Sequence, residues 1–248
     1  MMNALQLLNI GSSKLKNKRI LSHRLDSEIL LSNVLRKKRE KILINLNQKI
    51  KQDNIKKFDK LIQRRSLKEP IAYIIKRKEF WSKQFFVNKD TLIPRPETEI
   101  MIEYIVEMFK KKSISILDIG TGSGCILLSL LSELKSSYGL GIDISAKALV
   151  VAKKNAKKLK LVSKLKFLNK SIDNLQNCKF DLVVSNPPYI ETKSLRSLDD
   201  DIKKFEPIMA LDGGNDGLDV IKKVIYKSRC ILKCNGMLAL EIGNEQYK

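Results

Sequence analysis

The first part of the chain carries apolar residues at helical spacing. Residues 24–35 repeat apolar side chains every three or four positions, and residues 52–65 place four of them on one face. Pro70 follows soon after and marks where this second stretch ends. The pattern therefore predicts a small helical domain over residues 1–75.

The pattern changes between residues 76 and 112. Residues 80–87 are rich in aromatic side chains, which favours a short hairpin. Pro94 and Pro96 then stand one residue apart, and two prolines at this spacing force an extended backbone. Residues 97–110 return to a helical pattern. We expect a hairpin and a proline-rich linker with a connecting helix.

From residue 114 onward, predicted strands and helices alternate. The predicted strands are residues 114–119, 140–142, 165–168, 180–185 and 237–242. The predicted helices are residues 124–135, 146–160 and 217–232. This alternation is typical of a parallel sheet covered by helices. It predicts a doubly wound α/β domain over residues 113–248.

The apolar pattern excludes an integral membrane protein. The longest apolar run, residues 125–131, spans seven positions and includes a serine, whereas a membrane-spanning helix needs roughly 20 residues. The first residues lack the unbroken apolar stretch of a signal peptide. We therefore expect a cytoplasmic protein. An organellar transit peptide is the alternative, because residues 1–25 carry basic residues and serines without acids.

Charge adds a hint about partners. The chain has 48 basic and 27 acidic residues, a formal net charge of +21, and the first 80 residues hold 21 of the basic and 7 of the acidic ones. A basic N-terminal third favours an acidic partner, either nucleic acid or an acidic protein. However, 38 of the 48 basic residues are lysine, and base-specific contacts prefer arginine. An A- and T-rich codon bias explains the lysines equally well, so we expect only weak nucleic-acid contact through the basic N-terminal domain.

Cysteine and histidine usage excludes two kinds of site. The four cysteines form no Cys-x-x-Cys pair, and the single histidine, His23, is distant from all of them in sequence. We therefore expect no metal site. A serine or cysteine nucleophile would depend on His23 alone, and nothing around it resembles such a site.

A glycine loop follows the first strand of the predicted sheet. Residues 116–119 are mainly apolar and lead into Gly120-Thr121-Gly122-Ser123-Gly124, where glycines let a ligand lie against bare backbone. Asp143 ends the next strand and can accept hydrogen bonds from both ribose hydroxyls of an adenosine. The Gly-x-Gly-x-Gly spacing favours S-adenosylmethionine, which carries no phosphate and whose ammonium Asp118 could help to hold. A dinucleotide, or a simple tight turn, remains open.

A second motif, Asn186-Pro187-Pro188-Tyr189, follows the apolar strand at residues 180–185. Ligands of open α/β sheets bind at such strand ends. An amide or arylamine nitrogen is a weak nucleophile, because its lone pair is delocalised. The Asn186 side-chain oxygen and the Pro187 carbonyl can accept its two N–H groups, and Tyr189 can pack on the planar substrate group. We predict Asn186, Pro187 and Tyr189 as catalytic, with Pro187 and Pro188 stiffening the loop.

The chain as a whole resembles a known family. The segments that carry the resemblance are residues 24–31, 70–74, 79–81, 92–99, 117–124, 143–149, 185–190, 205–207 and 241–243. They are similar to those of the bacterial protein-(glutamine-N5) methyltransferases of class I peptide-chain release factors, the HemK/PrmC type. The Ile-Pro-Arg-Pro-Glu-Thr-Glu segment at residues 93–99 is the most specific of them, whereas Asn-Pro-Pro-Tyr is shared with other amino-methyltransferases.

The resemblance implies a fold, a reaction and a set of roles. Residues 1–75 would dock the release factor, and a Rossmann-like domain would transfer methyl from S-adenosylmethionine to the glutamine of the factor's Gly-Gly-Gln motif, with S-adenosylhomocysteine as product. The loop from Gly120 to Gly124, together with Asp143, would bind the cofactor. Asn186 would contact both cofactor and glutamine, and residues 187–189 would form the glutamine pocket. We expect a monomer.

The sequence departs from the family pattern in two places. The family usually places an acidic residue near the adenine after the third strand; here Lys170 and Ser171 align, so Ser171 is assigned to the cofactor, with Ile172 and Asp173 as the shifted alternative. The family also normally continues for a further helix and two strands. We therefore expect residues 113–248 to lack the last strands, which exposes a sheet edge. Two other functions remain open: a nucleic-acid amino-methyltransferase such as a DNA adenine-N6 enzyme, and a non-catalytic S-adenosylmethionine-binding protein.

Overall fold

The computed structural model describes residues 2–175 and 178–247 of the chain. These residues form two compact units. One comprises Met1–Lys76 together with Asp200–Phe205, and the other comprises Arg77–Asp199 together with Glu206–Lys248.

The first unit is helical. Its helices are α1 (Ala4–Asn17), α2 (His23–Leu35), α3 (Arg39–Leu43), α4 (Gln52–Ser66), α5 (Ile71–Ile75) and α9 (Asp200–Phe205). The side chain of Asn3 accepts the N–H of Gln6 and caps α1, as capping residues commonly do. The apolar faces of these helices bury a continuous core that includes Leu30, Phe58 and Ile62.

One buried ion-pair network lies inside the helical unit. The guanidinium of Arg65 on α4 donates to Asp26 on α2 from Nε and to Asp201 on α9 from Nη1, each at 2.7 Å. Arg65 and Asp26 are buried. Buried charges are tolerated when they are paired in this way, so the network joins three helices of the unit.

The second unit begins with a hairpin and a helix. Strands β1 (Lys78–Phe80) and β2 (Lys83–Phe85) pair antiparallel. Phe80 and Phe85 are fully buried, and their rings meet edge to face with centroids 6.1 Å apart. Helix α6 (Thr98–Phe109) follows the proline-rich segment.

A five-stranded parallel sheet forms the centre of the second unit. Its strands are β3 (Ser115–Ile119), β4 (Tyr138–Asp143), β5 (Leu165–Asn169), β6 (Phe180–Ser185) and β7 (Leu232–Leu240), in the spatial order β5-β4-β3-β6-β7. The remaining helices are α7 (Cys125–Glu133), α8 (Ala146–Lys158) and α10 (Asp219–Ile231).

Helices cover both faces of this sheet. The apolar core on one face joins Ile116 and Leu182 to residues of α6, α7 and α8, and the core on the other joins Leu117 and Val183 to residues of α10. Successive strand residues point to opposite faces, so β3 and β6 are buried on both. The predicted fold, a doubly wound Rossmann-like domain preceded by a helical region, is confirmed.

The largest difference from the predicted elements is at β7. The sequence placed this strand at residues 237–242, but it begins at Leu232, directly after α10. Leu232 pairs with Phe180 and Met237 pairs with Leu182, so five steps along β7 cover two steps along β6. Asn235 has a φ of +61° within this irregular stretch. The Asn-Gly dipeptide there resembles a turn signal, which concealed the start of the strand.

No helix within the described parts of the chain is both long enough and apolar enough to cross a membrane.

Candidate active site

The two predicted motifs meet at the carboxyl edge of the sheet. Strand β3 lies between β4 and β6, and Ile119 pairs with Ile142 on one side and with Ser185 on the other. The glycine loop, Asp143 and Asn186 therefore end three adjacent strands. This is the edge at which open α/β sheets bind ligands.

A cavity of about 270 Å³ opens at this edge. The predicted site residues that line it are Gly120, Thr121, Gly122, Ser123, Asp143, Ser171, Asn186, Pro187 and Pro188. Two predicted residues lie outside the lining. Gly124 is buried and begins α7 with a φ of +79°, and Tyr189 is half-buried beside Glu241.

The glycine loop is held by Asp143. One carboxylate oxygen of Asp143 accepts the N–H of Gly122 at 2.9 Å, and the other accepts the N–H of Ser145 at 2.8 Å. Gly122 has a φ of +55°, a conformation in which side chains are strained. A Cβ added at Gly120 would meet no atom within 4 Å. The backbone there is open to a ligand.

Two acidic side chains, Asp118 and Asp143, form hydrogen bonds to residues of the glycine loop. Asp118 is buried and accepts the hydroxyl of Thr121 at 2.6 Å. Burial raises the pKa of Asp118 to about 7, and the Thr121 hydrogen bond opposes this rise while the charge of Asp143 adds to it. Burial also raises the pKa of Asp143, against the two backbone N–H groups that lower it. Both effects follow from the cost of desolvating a carboxylate.

The Asn-Pro-Pro-Tyr loop is tied to two elements distant in sequence. The side-chain Nδ2 of Asn186 donates to Thr98 Oγ1 at 3.3 Å, and Thr98 Oγ1 donates to the carboxylate of Glu241. The phenol of Tyr189 donates to the other oxygen of Glu241 at 3.3 Å. Burial and the neighbouring Glu241 raise the pKa of Tyr189, so it remains a neutral phenol at physiological pH.

The backbone of the same loop is fixed from the other side. Gln246 Nε2 donates to the carbonyls of Tyr189 and Gly217, each at 3.2 Å. The N–H of Ile190 donates to the carbonyl of Leu211 at 3.0 Å. A loop held in this way loses little conformational freedom when a substrate binds.

The proline-rich linker also reaches the cavity. Pro94, Arg95 and Thr98 line it. Glu206, which is buried, accepts the N–H of Ile93 at 3.1 Å and the guanidinium of Arg95 at 2.8 Å. Sequence reasoning assigned no role to Thr98, Glu206 or Glu241, although all three lie in segments that carry the family resemblance.

The region after β5 contributes a different edge of the cavity. Lys170, Ser171 and Ile172 all line it. Asp173 is exposed and forms ion pairs with Lys223 and Lys227. The cavity side of this turn therefore presents Lys170, Ser171 and the apolar Ile172, and the assignment of Ser171 to the adenine remains a prediction.

Within residues 2–175 and 178–247, no group of three or more His, Cys, Asp or Glu side chains is arranged to hold a metal ion.

Comparisons with known families match both parts of the chain. Residues 6–75 match the PrmC N-terminal domain, and residues 110–240, more than half of the chain, match a methyltransferase domain.

Curated relatives agree with these matches. A release factor glutamine methyltransferase of Buchnera aphidicola is 41% identical over 243 residues, which cover 96% of this chain and 87% of that protein. One of Clostridium acetobutylicum is 40% identical over 227 residues, covering 89% and 79%. A bifunctional methyltransferase of Rickettsia felis is 37% identical over 270 residues, covering 97% and 51%. The chain spans about half the length of the bifunctional relatives that it matches.

Two relatives above 30% identity are thus matched over more than two thirds of their own length, and the helical and catalytic parts each match the corresponding family model. The chain belongs to the release factor glutamine methyltransferase family.

Proposed function

We propose that this chain transfers a methyl group from S-adenosylmethionine to the side-chain amide nitrogen of the glutamine in the Gly-Gly-Gln motif of class I release factors. One observation carries the proposal. The Asn-Pro-Pro-Tyr loop and the glycine loop share one cavity at the ends of adjacent strands, in a member of this family.

The cavity suits the cofactor. Gly120 and Gly122 offer backbone that a ligand can approach closely, and Asp143 presents a carboxylate to ribose hydroxyls. Ile144 and Ile172 supply apolar surface for a planar base. Asp118 lies beneath Thr121, where its ionised form would favour the ammonium of the cofactor's methionine part. When bound, S-adenosylmethionine supplies an electrophilic methyl group on its sulfonium.

The chain's own residues prepare the amide. The Oδ1 of Asn186 accepts one N–H of the glutamine, and the carbonyl of Pro187 accepts the other. Two fixed acceptors orient the nitrogen lone pair and weaken its conjugation with the glutamine carbonyl, which makes the nitrogen more nucleophilic. Tyr189, whose phenol is held by Glu241 outside the cavity lining, is proposed to pack on the planar amide, and the nitrogen loses its extra proton to solvent after transfer.

The partners follow from the family and from the charge. The helical unit would dock the release factor, and its basic surface would suit an acidic partner and add weak contact with nucleic acid. The proposed enzyme is a cytoplasmic monomer.

Mass spectrometry tests the proposal directly. Purified protein is incubated with S-adenosylmethionine and either a release factor or plasmid DNA, with Asn186→Ala as the inactive control and Asn215→Ala, an exposed asparagine, as the matched control. We expect the Gly-Gly-Gln peptide of the release factor to carry one methyl group on its glutamine after incubation with wild type or Asn215→Ala. After incubation with Asn186→Ala the peptide should be unmodified.

Two outcomes would overturn the proposal. Methyladenine in the DNA with an unmodified peptide would assign the site to a nucleic-acid substrate, because the same loop can hold a flipped adenine. If no methyl group is transferred and added S-adenosylmethionine does not raise the melting temperature, binding of the proposed cofactor is excluded.

A further inference from the structure

A chain of hydrogen bonds with a defined direction ends at Asn186. The Nδ2 of Asn186 donates to the hydroxyl of Thr98, and that hydroxyl donates its single proton to Glu241. Tyr189 donates to the second carboxylate oxygen of Glu241. These four side chains come from the end of β6, the start of α6 and the residue after β7.

The carboxylate sets the direction of this chain. An ionised carboxylate only accepts hydrogen bonds, so both hydroxyls next to Glu241 must donate to it. The Thr98 oxygen, having given its proton to Glu241, can then only accept from Asn186. A donor is therefore required on the side of the Asn186 amide that faces Thr98, and only its NH₂ group can supply one.

The opposite end of the amide is fixed as a consequence. An amide is planar, and its oxygen and nitrogen are bonded to the same carbon, so a rotation that brings one of them to Thr98 takes the other away from it. When Nδ2 is held by Thr98, Oδ1 is turned away from it, and Asn186 lines the cavity. Thr98 lines the same cavity, and with Nδ2 engaged by the Thr98 hydroxyl, Oδ1 is the side-chain atom of Asn186 left to offer the cavity a hydrogen-bond acceptor, which suits a substrate that carries N–H groups.

The three elements are also held rigidly enough to maintain this geometry. Thr98 is 2% exposed, and its N–H donates to the carbonyl of Arg95 at 3.2 Å. The N–H of Glu241 donates to the carbonyl of Ser185, the residue before Asn186, at 3.1 Å. Backbone contacts therefore bring the carboxylate and the asparagine to the same place.

We propose that Thr98 and Glu241 are positioning residues, which fix the side-chain amide of Asn186 with Oδ1 toward the cavity, and that Glu241 also fixes the phenol of Tyr189. Their importance for turnover rests on the proposed amide methylation. The orientation of Asn186 does not, and it can be measured separately.

Substitutions at Thr98 test the first link. Thr98→Val keeps the shape but removes the hydroxyl, and Thr98→Ser restores it. We expect Thr98→Val to lower kcat by about 10- to 100-fold with little change in the dissociation constant of S-adenosylmethionine, since the lost interaction acts on the transition state. Thr98→Ser should retain turnover within about threefold. Thr192→Val, which removes an exposed hydroxyl that also donates to a carboxylate, is the matched control.

Glu241→Gln tests whether the carboxylate of Glu241 sets the direction of the hydrogen-bond chain. Glutamine has nearly the same shape but offers one acceptor oxygen for two hydroxyls, and its NH₂ group can donate to Thr98. Thr98 can then donate its proton to Asn186, and the Asn186 amide would turn so that Oδ1 rather than Nδ2 faces Thr98. We expect kcat to fall by at least about tenfold while the melting temperature and cofactor affinity stay close to those of wild type.

A second measurement separates this inference from the proposed function. The side-chain ¹⁵N–¹H resonances of Asn186, identified by their loss in Asn186→Ala, report on its hydrogen bond whatever the substrate is. They should shift in Thr98→Val and Glu241→Gln and remain near their wild-type positions in Thr98→Ser. Unchanged resonances in the first two variants, or normal turnover in Thr98→Val, would overturn the inference. An inactive wild type with shifted resonances would overturn only the proposed function.

Discussion

At the scale of single residues, the glycine loop depends on two carboxylates with different environments. Asp143 borders the cavity and accepts two backbone N–H groups, whereas Asp118 is buried beneath the loop and accepts one hydroxyl. Burial raises the pKa of both. Ionising either carboxylate therefore lowers the free energy of unfolding. Such perturbed carboxyl groups are typical of binding sites.

Asp143→Ala should weaken the binding of S-adenosylmethionine. The substitution would remove the proposed charge-assisted hydrogen bond to the cofactor, for which about 1–3 kcal/mol is typical, and it also releases the N–H of Gly122. Isothermal titration calorimetry measures the change. An unchanged dissociation constant would exclude Asp143 from the cofactor site.

Asp118 should make the stability of the empty protein dependent on pH. Its pKa is about 7 in the folded chain and about 4 in an unfolded one. Between these values the folded state holds a proton that the unfolded state has lost, so the free energy of unfolding falls as the pH rises through this range.

The variant Asp118→Asn does not titrate and should not show this fall. We therefore expect the variant to gain roughly 2–3 kcal/mol relative to wild type between about pH 5 and pH 8. Urea unfolding of both proteins at the two pH values gives this difference. A constant difference between wild type and variant would contradict the prediction.

At the scale of elements, one buried asparagine connects α8 to the hairpin and to the glycine loop. Asn155 is fully buried, and its side chain accepts the N–H of Phe86 at 2.7 Å. It also donates to the carbonyls of Phe86 and Ser123, each at 2.9 Å. The position of the loop therefore depends on a residue that does not line the cavity.

Asn155→Ala should destabilise the second unit. It leaves the N–H and carbonyl of the half-buried Phe86 and the buried carbonyl of Ser123 without this partner, and an unsatisfied buried group costs about 1–3 kcal/mol before the site relaxes. We expect a loss of about 2–4 kcal/mol in chemical denaturation. Lys153→Ala, on the exposed face of the same helix, should change stability by less than about 0.5 kcal/mol.

Most helices and strands could be predicted from the sequence, but few of the side-chain hydrogen bonds between them could. The largely apolar run at Phe180–Ser185 indicates β6, because a strand buried on both faces is apolar over most of its length. Asn155 could not be found in the same way, because its partners are 69 and 32 residues away. Thr98 and Glu241, 143 residues apart, are a further case. Local patterns carry no record of which polar groups will meet once the sheet forms.

At the scale of the whole molecule, the chain passes between its two units three times. It enters the second unit at Arg77, returns to the helical unit at Asp200 and leaves again at Glu206. Inside the helical unit, Asp201 on the returning segment is held by Arg65. The short helix α9 is thus an integral part of a unit whose other helices end at residue 75.

Arg65→Met should therefore destabilise the helical unit strongly. It leaves Asp26 buried without its cationic partner, and breaking a buried pair in this way costs about 3–5 kcal/mol. The adjacent Arg64→Met is the matched control, because Arg64 and Glu69 are both only half-buried and ion pairs that remain in contact with solvent contribute about 1 kcal/mol or less. Thermal unfolding of both variants compares them, and equal losses would contradict the role of the buried network.

The three passages also determine the order in which the protein can be completed during synthesis. A ribosome releases the chain from its N-terminus, so the first five helices emerge long before α9 does. The helical unit must then wait while β1 to β6 are produced, and it reaches its final composition only when Phe205 has left the exit tunnel. Until that moment Arg65 has Asp26 but not Asp201. The helical unit, most of which is translated first, is therefore completed only shortly before the second unit, which still awaits α10 and β7.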